Sequence, residues 1–137
     1  MRVVFADAGY WIALANPRDH LHTLASQWSR HLEGYRIVTS ESVLVEVLNG
    51  FAESGLLLRT RAAAATHAIL EDPDVEVVPQ TQQLFRYALS LYCDRPDKSW
   101  SLTDCASFRI MEERKISEAL THDRHFEQCG FRALLRV

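Results

Sequence analysis

The stretch Val3-Val4-Phe5-Ala6-Asp7 decides the fold expected for this chain. Its four consecutive apolar residues are typical of a short strand that is buried on both faces, as strands of parallel sheets are. Asp7 ends the run and places a carboxylate at the carboxyl end of this strand. Ligands of open α/β sheets bind at that end, so Asp7 is the first candidate functional residue.

Strands and helices alternate along the rest of the chain. Apolar runs predict four more strands, the last of them weak, over residues 36–39, 75–78, 118–121 and 131–135. Helical spacing and cap signals predict helices between the strands, over residues 10–15, 20–32, 40–51, 56–70, 81–92 and 102–115. This alternation predicts an α/β fold in which a mostly parallel sheet is covered by helices on both faces.

Length and composition are those of an ordinary globular protein. The 137 residues, 47% of them hydrophobic, predict a single domain over residues 1–137. Three scattered cysteines without a CxxC pair favour a reducing compartment, so a cytoplasmic location is expected. No apolar run predicts a membrane span, and Asp7 interrupts the one run that resembles a signal peptide. The formal net charge of -3 argues against a broad basic face for duplex nucleic acid.

Four acidic residues stand where this fold would bind a ligand. Asp7 and Asp123 each follow a strand. Glu46 lies on the helix after the second strand, and Asp104 begins the last long helix. Each has an ordinary structural explanation, as a helix N-cap for the two strand-end aspartates, as part of a Ser101-x-x-Asp104 capping box, or as a solvated helix residue. For each acid taken alone, that explanation is the more common one.

Two of the acids are placed less well for a purely structural role. Asp104 lies on one helical stripe with Phe108 and Met111, and Glu46 adjoins Val47 at the margin of an apolar face. A carboxylate that faces the protein body needs a partner, because an unpaired buried charge is costly. No lysine or arginine is positioned to neutralise all four acids, whereas a divalent cation would do so. Oxygen ligands alone suit Mg²⁺ or Mn²⁺ rather than zinc.

Other candidate sites are weaker. His122 and His125 flank Asp123, but two histidines three residues apart make no closed zinc site, so residues 122–125 are expected to form a solvated loop. The polar residues 94–99 predict a mobile loop. The P-loop, dinucleotide-binding and hydrolase-elbow motifs are all absent from the sequence.

Taken together, these pieces resemble the PIN-domain ribonucleases, and in size and motif order the VapC-like toxins of prokaryotic toxin–antitoxin pairs. The matching segments are residues 3–7, 42–48, 101–105 (SLTDC) and 120–126 (LTHDRHF), and the last two are specific in combination. The resemblance implies a three-layer PIN-like fold with a twisted parallel sheet of four or five strands flanked by helices. It places the first and fourth strands side by side at the centre.

The resemblance also implies that Asp7, Glu46, Asp104 and Asp123 form an acidic metal pocket. Many family members carry a hydroxyl or amide residue shortly after the first aspartate, where this chain has Ala8-Gly9. Hydrogen bonds that support the acids are therefore expected from the backbone or from three threonines, Thr39, Thr103 and Thr121.

The function implied is that of a Mg²⁺- or Mn²⁺-dependent ribonuclease, the toxin of a toxin–antitoxin pair, which hydrolyses RNA phosphodiester bonds. Asp7 and Asp104 would be the principal ligands, and a metal-bound water would be the nucleophile. The expected partners are single-stranded or looped RNA, a cognate antitoxin and a second copy of the chain, with no membrane. An apolar excess around residues 51–58 supports the homodimer. The residues expected to contact phosphates are Arg59, Arg61, Arg109, Arg114 and Lys115.

Other functions remain open at this point. A housekeeping PIN nuclease would carry the same acids without an antitoxin. A PIN-like protein-binding module would have no catalysis, although such a module would not need four intact acids. A phosphatase with Asp7 as nucleophile would require a second acid two residues later, where this chain has Gly9.

Overall fold

A five-stranded sheet in which all paired strands are parallel runs through the computed structural model, which describes residues 1–137. In chain order the strands are β1 (Val3–Ala6), β2 (Arg36–Ser40), β3 (Val75–Val78), β4 (Glu118–Leu120) and β5 (Arg132–Ala133). Their spatial order is β3-β2-β1-β4-β5. The predicted α/β class, the parallel sheet and the central pairing of the first and fourth strands are confirmed.

Seven helices connect the strands. They are α1 (Ala8–Ala15), α2 (His22–His31), α3 (Glu41–Gly50), α4 (Leu56–Glu71), α5 (Gln82–Asp94), α6 (Leu102–Glu113) and α7 (Arg124–Gln128). Six of them match predicted helices within a few residues. The predicted loop over residues 122–125 is confirmed for residues 122–123 and wrong for residues 124–125, because the Asp123 carboxylate accepts the His125 backbone N–H at 2.9 Å and thereby caps α7. None of the helices combines the length and the apolar character that crossing a bilayer requires.

Two apolar cores lie against the two faces of the sheet. Phe5 of β1 belongs to the larger core, where its ring lies 6.4 Å from that of Phe126, which in turn lies 5.0 Å from the ring of Phe108. Val4 and Ala6, its neighbours on β1, point to the other face and belong to the smaller core. This burial on both faces is the reason that the first strand is apolar throughout.

Acidic residues at the amino ends of the strands are paired with arginines. Glu118 accepts two hydrogen bonds from the guanidinium of Arg2, both at 2.8 Å, and a third from Arg132 at 3.3 Å. Glu76 accepts a hydrogen bond from Arg114 at 2.7 Å. The charges of these two glutamates are therefore compensated within the protein.

Candidate active site

The four predicted acids meet at the carboxyl ends of the two central strands. Asp7 directly follows β1, and its backbone N–H donates to the Leu120 carbonyl of β4 at 3.2 Å. Asp123 follows β4, Asp104 comes from the first turn of α6, and Glu46 comes from the middle of α3. All four line one cleft with a volume of about 540 Å³. The chain therefore brings the sequence-predicted acids together at one edge of the sheet.

Asp7 is buried, with 8% of its surface exposed, as is Asp104, with 7% exposed. Asp7 occupies the N-cap position of α1, but its side chain makes no capping hydrogen bond, so the N-cap explanation is wrong for this residue. Burial raises the pKa of Asp7 from its ordinary 3.8 to about 7, the Ala8 backbone and the Thr121 side chain lower it, and the Asp104 and Glu46 carboxylates raise it. The carboxyl group therefore holds its proton unusually tightly.

Asp104 both caps a helix and faces the cleft. The capping box is formed, since Asp104 Oδ2 accepts the Ser101 backbone N–H at 3.1 Å and Ser101 Oγ accepts the Asp104 backbone N–H at 3.0 Å. The other carboxylate oxygen, Oδ1, has no hydrogen-bond donor and stays available to a ligand. Burial is the main cause that raises the pKa of Asp104. The capping role and a ligand role are therefore compatible in one side chain.

His125 is a site residue that the sequence analysis missed. Its Nδ1 lies 3.0 Å from Asp104 Oδ2 and 3.2 Å from Asp123 Oδ1. The ligand atoms of these three residues all lie within 4.8 Å of one another. The expectation that His125 is a solvated loop residue is therefore wrong, because its imidazole contacts two of the acids. The signal was the Asp-x-His spacing, because an N-cap carboxylate that accepts the N–H two residues later brings that residue's side chain alongside it.

Thr121 connects the two central acids. Its hydroxyl donates to Asp7 Oδ2 at 2.9 Å and accepts the Asp123 backbone N–H at 3.0 Å. The residue is 1% exposed, so no water competes for these bonds. One buried side chain therefore fixes both the Asp7 carboxylate and the turn that carries Asp123.

The other two threonines support the site differently. The Thr39 hydroxyl donates to the Ala6 carbonyl at 2.8 Å and accepts from Trp11 Nε1 at 3.3 Å. It therefore holds the end of β1 without touching an acid. Burial is the main cause that raises the pKa of Glu46, and the nearby Thr103 side chain lowers it. Thr103 therefore lies near one of the four acids, but it makes no hydrogen bond like the one that joins Thr121 to Asp7.

The cleft holds no lysine or arginine. Its titratable lining beyond the four acids consists of one more aspartate and three histidines, Asp19, His20, His122 and His125. None of the five basic residues expected to contact phosphates lines the cleft, so that expectation is wrong for the acidic site itself. Arg109 pairs with Glu113 at 2.6 Å, and Arg114 pairs with Glu76 at the opposite edge of the sheet. The acids remain without an internal cation of fixed charge.

The carboxylate oxygens of the cleft suit a divalent metal ion. Asp104 Oδ1 and one oxygen of Asp123 face no hydrogen-bond donor, and the carboxylates of Asp7 and Glu46 line the same cleft. Hard divalent cations prefer such oxygen ligands. An acidic cluster without a lysine or arginine is the environment in which a bound cation offsets the repulsion among carboxylates.

The model of the PIN domain family matches residues 4–132 of the chain. The chain belongs to the PIN domain family. The protein named 23S rRNA-specific endonuclease VapC20, from two strains of Mycobacterium tuberculosis, is 30% identical to this PIN domain over 133 residues, which cover 94% of this chain and 95% of the relative. A crystal structure of Mycobacterium tuberculosis VapC20, described as a sarcin-ricin loop cleaving toxin, aligns with a TM-score of 0.82 at 27% identity, over 93% of this chain and 95% of that one.

These similarities confirm three of the sequence predictions. The PIN-like fold is confirmed by the alignment with VapC20 over nearly the full length of both chains. The VapC-like family and the endoribonuclease class are confirmed by the family match and by the named relative. PIN nucleases use divalent metals, and this PIN domain carries an acidic cluster that suits one.

Proposed function

We propose that this PIN domain is the toxin of a toxin–antitoxin pair and cleaves single-stranded or looped RNA in a divalent-metal-dependent reaction. The observation that carries the proposal is the meeting of four acids, without a lysine or arginine, in the cleft at the ends of β1 and β4. The relative named 23S rRNA-specific endonuclease supports structured ribosomal RNA as the substrate class. Because the two cores cover the two faces of one sheet, we treat residues 1–137 as a single PIN domain.

The proposed ligands are the four carboxylates Asp7, Glu46, Asp104 and Asp123. His125 has a different role in this proposal. Its Nδ1 faces two carboxylate oxygens, which only accept hydrogen bonds, so we assign the ring proton to Nδ1 and treat His125 as the donor that orients Asp104 and Asp123. The ligands are then oxygen atoms, and Mg²⁺ or Mn²⁺ is preferred to zinc.

The chemistry follows from this arrangement. A divalent metal bound here would lower the pKa of a water molecule bound to it and would offset negative charge on the scissile phosphate. Thr121 orients Asp7, and His125 orients the two acids at the rim, so the ligands are held in place before the metal binds. The cleft is open to solvent, as an extended RNA strand requires.

The direct test is cleavage of ribosomal RNA by the purified protein. We expect cleavage with Mg²⁺ or Mn²⁺, none with EDTA, and none by the Asp104→Asn variant. Cleavage that EDTA leaves unaffected would contradict the metal-dependent mechanism, and no cleavage under any condition would favour the protein-binding alternative. If zinc exceeds manganese as the activator, His125 is a ligand and the proposed oxygen-ligand set is wrong.

An antitoxin partner is supported by a concave, mostly apolar surface. This surface encloses about 790 Å³, and 11 of its 17 lining residues are hydrophobic, among them Trp11, Leu14 and Ile69. It lies beside α1, α2 and α4, away from most of the acidic cleft. Co-expression with the product of the adjacent reading frame should relieve growth arrest, whereas a housekeeping nuclease would cause no arrest.

A homodimer is part of the same proposal. Leu56 and Leu57, at the start of α4, are 83% and 70% exposed and support an apolar interface. Phe51 does not contribute to it, contrary to expectation, because it is 3% exposed and packs in the larger core. Light scattering should give twice the 15.7 kDa mass of one chain, and a 15.7 kDa particle at high concentration would contradict the dimer.

A further inference from the structure

A polar groove adjoins the acidic cleft along the segment between α5 and α6. We call it the α5–α6 groove. It encloses about 520 Å³, and its lining includes Tyr92, Arg95 and Lys98. Ser99 and Ser101 line both this groove and the acidic cleft, so the two concave surfaces share a wall. A chain bound in one can therefore continue into the other.

The α5–α6 groove supplies cations that the acidic cleft lacks. Lys98 forms no ion pair, so its ammonium group is free to meet a phosphate. Arg95 is held in one orientation, because its Nε and Nη2 donate to the Asp97 carboxylate at 3.0 and 2.9 Å. Its Nη1 remains free of protein partners. Asp97 offsets the charge of Arg95, so Lys98 carries the uncompensated positive charge of the groove.

The aromatic residues of the groove have two different roles. Trp100 is a packing residue, because it is buried and its Nε1 donates to Gln128 Oε1 at 2.9 Å. Its ring supports the Arg95 guanidinium, whose central carbon lies 5.2 Å from the ring centre. Tyr92, on the last turn of α5, is 53% exposed and offers a free ring face. Basic groups beside an exposed aromatic ring are the combination that binds single-stranded nucleic acid.

We infer that the α5–α6 groove binds the RNA segment next to the scissile phosphate, with Lys98 and Arg95 on phosphates and Tyr92 stacked on a base. The inference rests on the proposed cleavage of RNA in the acidic cleft. It accounts for a nuclease with a net charge of -3 by separating the metal-binding acids from the phosphate-binding cations.

Binding of a fluorescein-labelled single-stranded RNA of about twelve nucleotides tests the inference. Anisotropy is measured across a salt series in EDTA, so that the RNA stays uncleaved. Lys98→Gln should weaken binding about fivefold and lower the salt dependence by about 0.7 log units per log unit of salt, the value for one lost phosphate contact on a single strand. Tyr92→Leu should also weaken binding about fivefold or more, without changing the salt dependence.

The matched control is Arg61→Gln. Arg61 is exposed on α4 and lines neither the groove nor the acidic cleft, so its variant loses the same charge but should bind RNA as the wild type does. The unmodified protein gives a second readout, since Cys93 is exposed in the groove while Cys105 is buried. The RNA should slow alkylation of Cys93 by iodoacetamide several-fold, and Lys98→Gln should reduce that protection.

Two results would overturn the inference while leaving the proposed function intact. The first is an equal loss of RNA affinity in Lys98→Gln and Arg61→Gln. The second is a rate of Cys93 alkylation that RNA does not slow. Each result must be found with a wild-type protein that cleaves RNA in the presence of metal. Failure of the proposed function would look different, because the wild type would then cleave no RNA at all.

Discussion

The acidic residues at the two edges of the sheet differ in whether arginines pair with them. At the amino edge, Glu118 is paired with Arg2 and Arg132, and Glu76 is paired with Arg114. At the carboxyl edge, four acids share a cleft that no arginine or lysine lines. Both edges belong to the same short parallel strands, so the difference lies in the side chains that flank the strands. The four acids of the carboxyl edge therefore have no lysine or arginine to offset their charge, whereas the two glutamates of the amino edge each have one or more arginines.

The largest expected effect tests the acids at the carboxyl edge of the sheet. Asp104→Asn and Asp7→Asn should each lower RNA cleavage by at least about 1000-fold, above the 10–100-fold loss typical of a residue that only orients a ligand. Circular dichroism should report a retained fold, since asparagine keeps the shape of each side chain. Cleavage by Asp104→Asn at the wild-type rate would mean that Asp104 only caps α6.

The next effect is the pH dependence of stability without metal. A pKa of about 7 for Asp7 lies above its ordinary 3.8, so the folded protein holds a proton that the unfolded chain releases. The free energy of unfolding should therefore fall as pH rises from about 4 to about 7, by an amount on the order of 3 kcal/mol. Thermal melts in EDTA measure this fall. Mn²⁺ should reduce it, and Asp7→Asn should remove most of it; identical melts with and without Mn²⁺ at neutral pH would contradict a metal site.

A smaller effect concerns the hydroxyl that joins the two central acids. Thr121→Val removes the hydrogen bond to Asp7 and leaves the Asp123 backbone N–H without its acceptor, so cleavage should fall about 10–100-fold. Ser107→Ala is the control, because the Ser107 hydroxyl is buried but bonds only to the Thr103 carbonyl, at 2.9 Å. Equal kcat values for the two variants would argue against a positioning role for Thr121.

The smallest effect is expected at the amino edge. Glu118→Gln removes the charge that binds Arg2 and Arg132, and urea unfolding should report a loss of about 1 kcal/mol, as for a partly exposed ion pair. RNA cleavage should not change. A large loss of activity in this variant would show that the two edges are not functionally separate.

The strands and the six longer helices could be predicted from the sequence because they depend on strong local signals. The apolar run at residues 3–6 needed burial on both faces, and Ser40 caps α3 as expected, with its Oγ accepting the Val43 backbone N–H at 3.1 Å. The parallel sheet predicted that Asp7 and Asp123 lie at the same edge, and the resemblance to PIN-domain ribonucleases implied that their strands are neighbours. These features depend on periodicity and topology more than on side-chain detail.

The features that the sequence did not predict depend on a few contacts. Helix α7 has only 5 residues, too few for a periodic pattern, and its existence depends on the Asp123 cap. The position of His125 follows from that cap, so missing the helix meant missing the histidine. Phe51 was counted in the apolar excess that favoured a dimer, but it packs in the larger core, because the end of α3 turns toward that core.

The shortness of helix α7 has a consequence for how the protein loses activity on warming. A helix of 5 residues is not stable alone, so its cap and the packing of Phe126 against Phe108 must hold it. Segments with few such contacts open locally at a lower free energy than the whole protein unfolds. The carboxyl edge of the sheet, which carries the four acids, should therefore open locally at a lower temperature than the one at which the strands unfold. Activity should be lost on warming, and regained on cooling, at temperatures where the five strands are still intact.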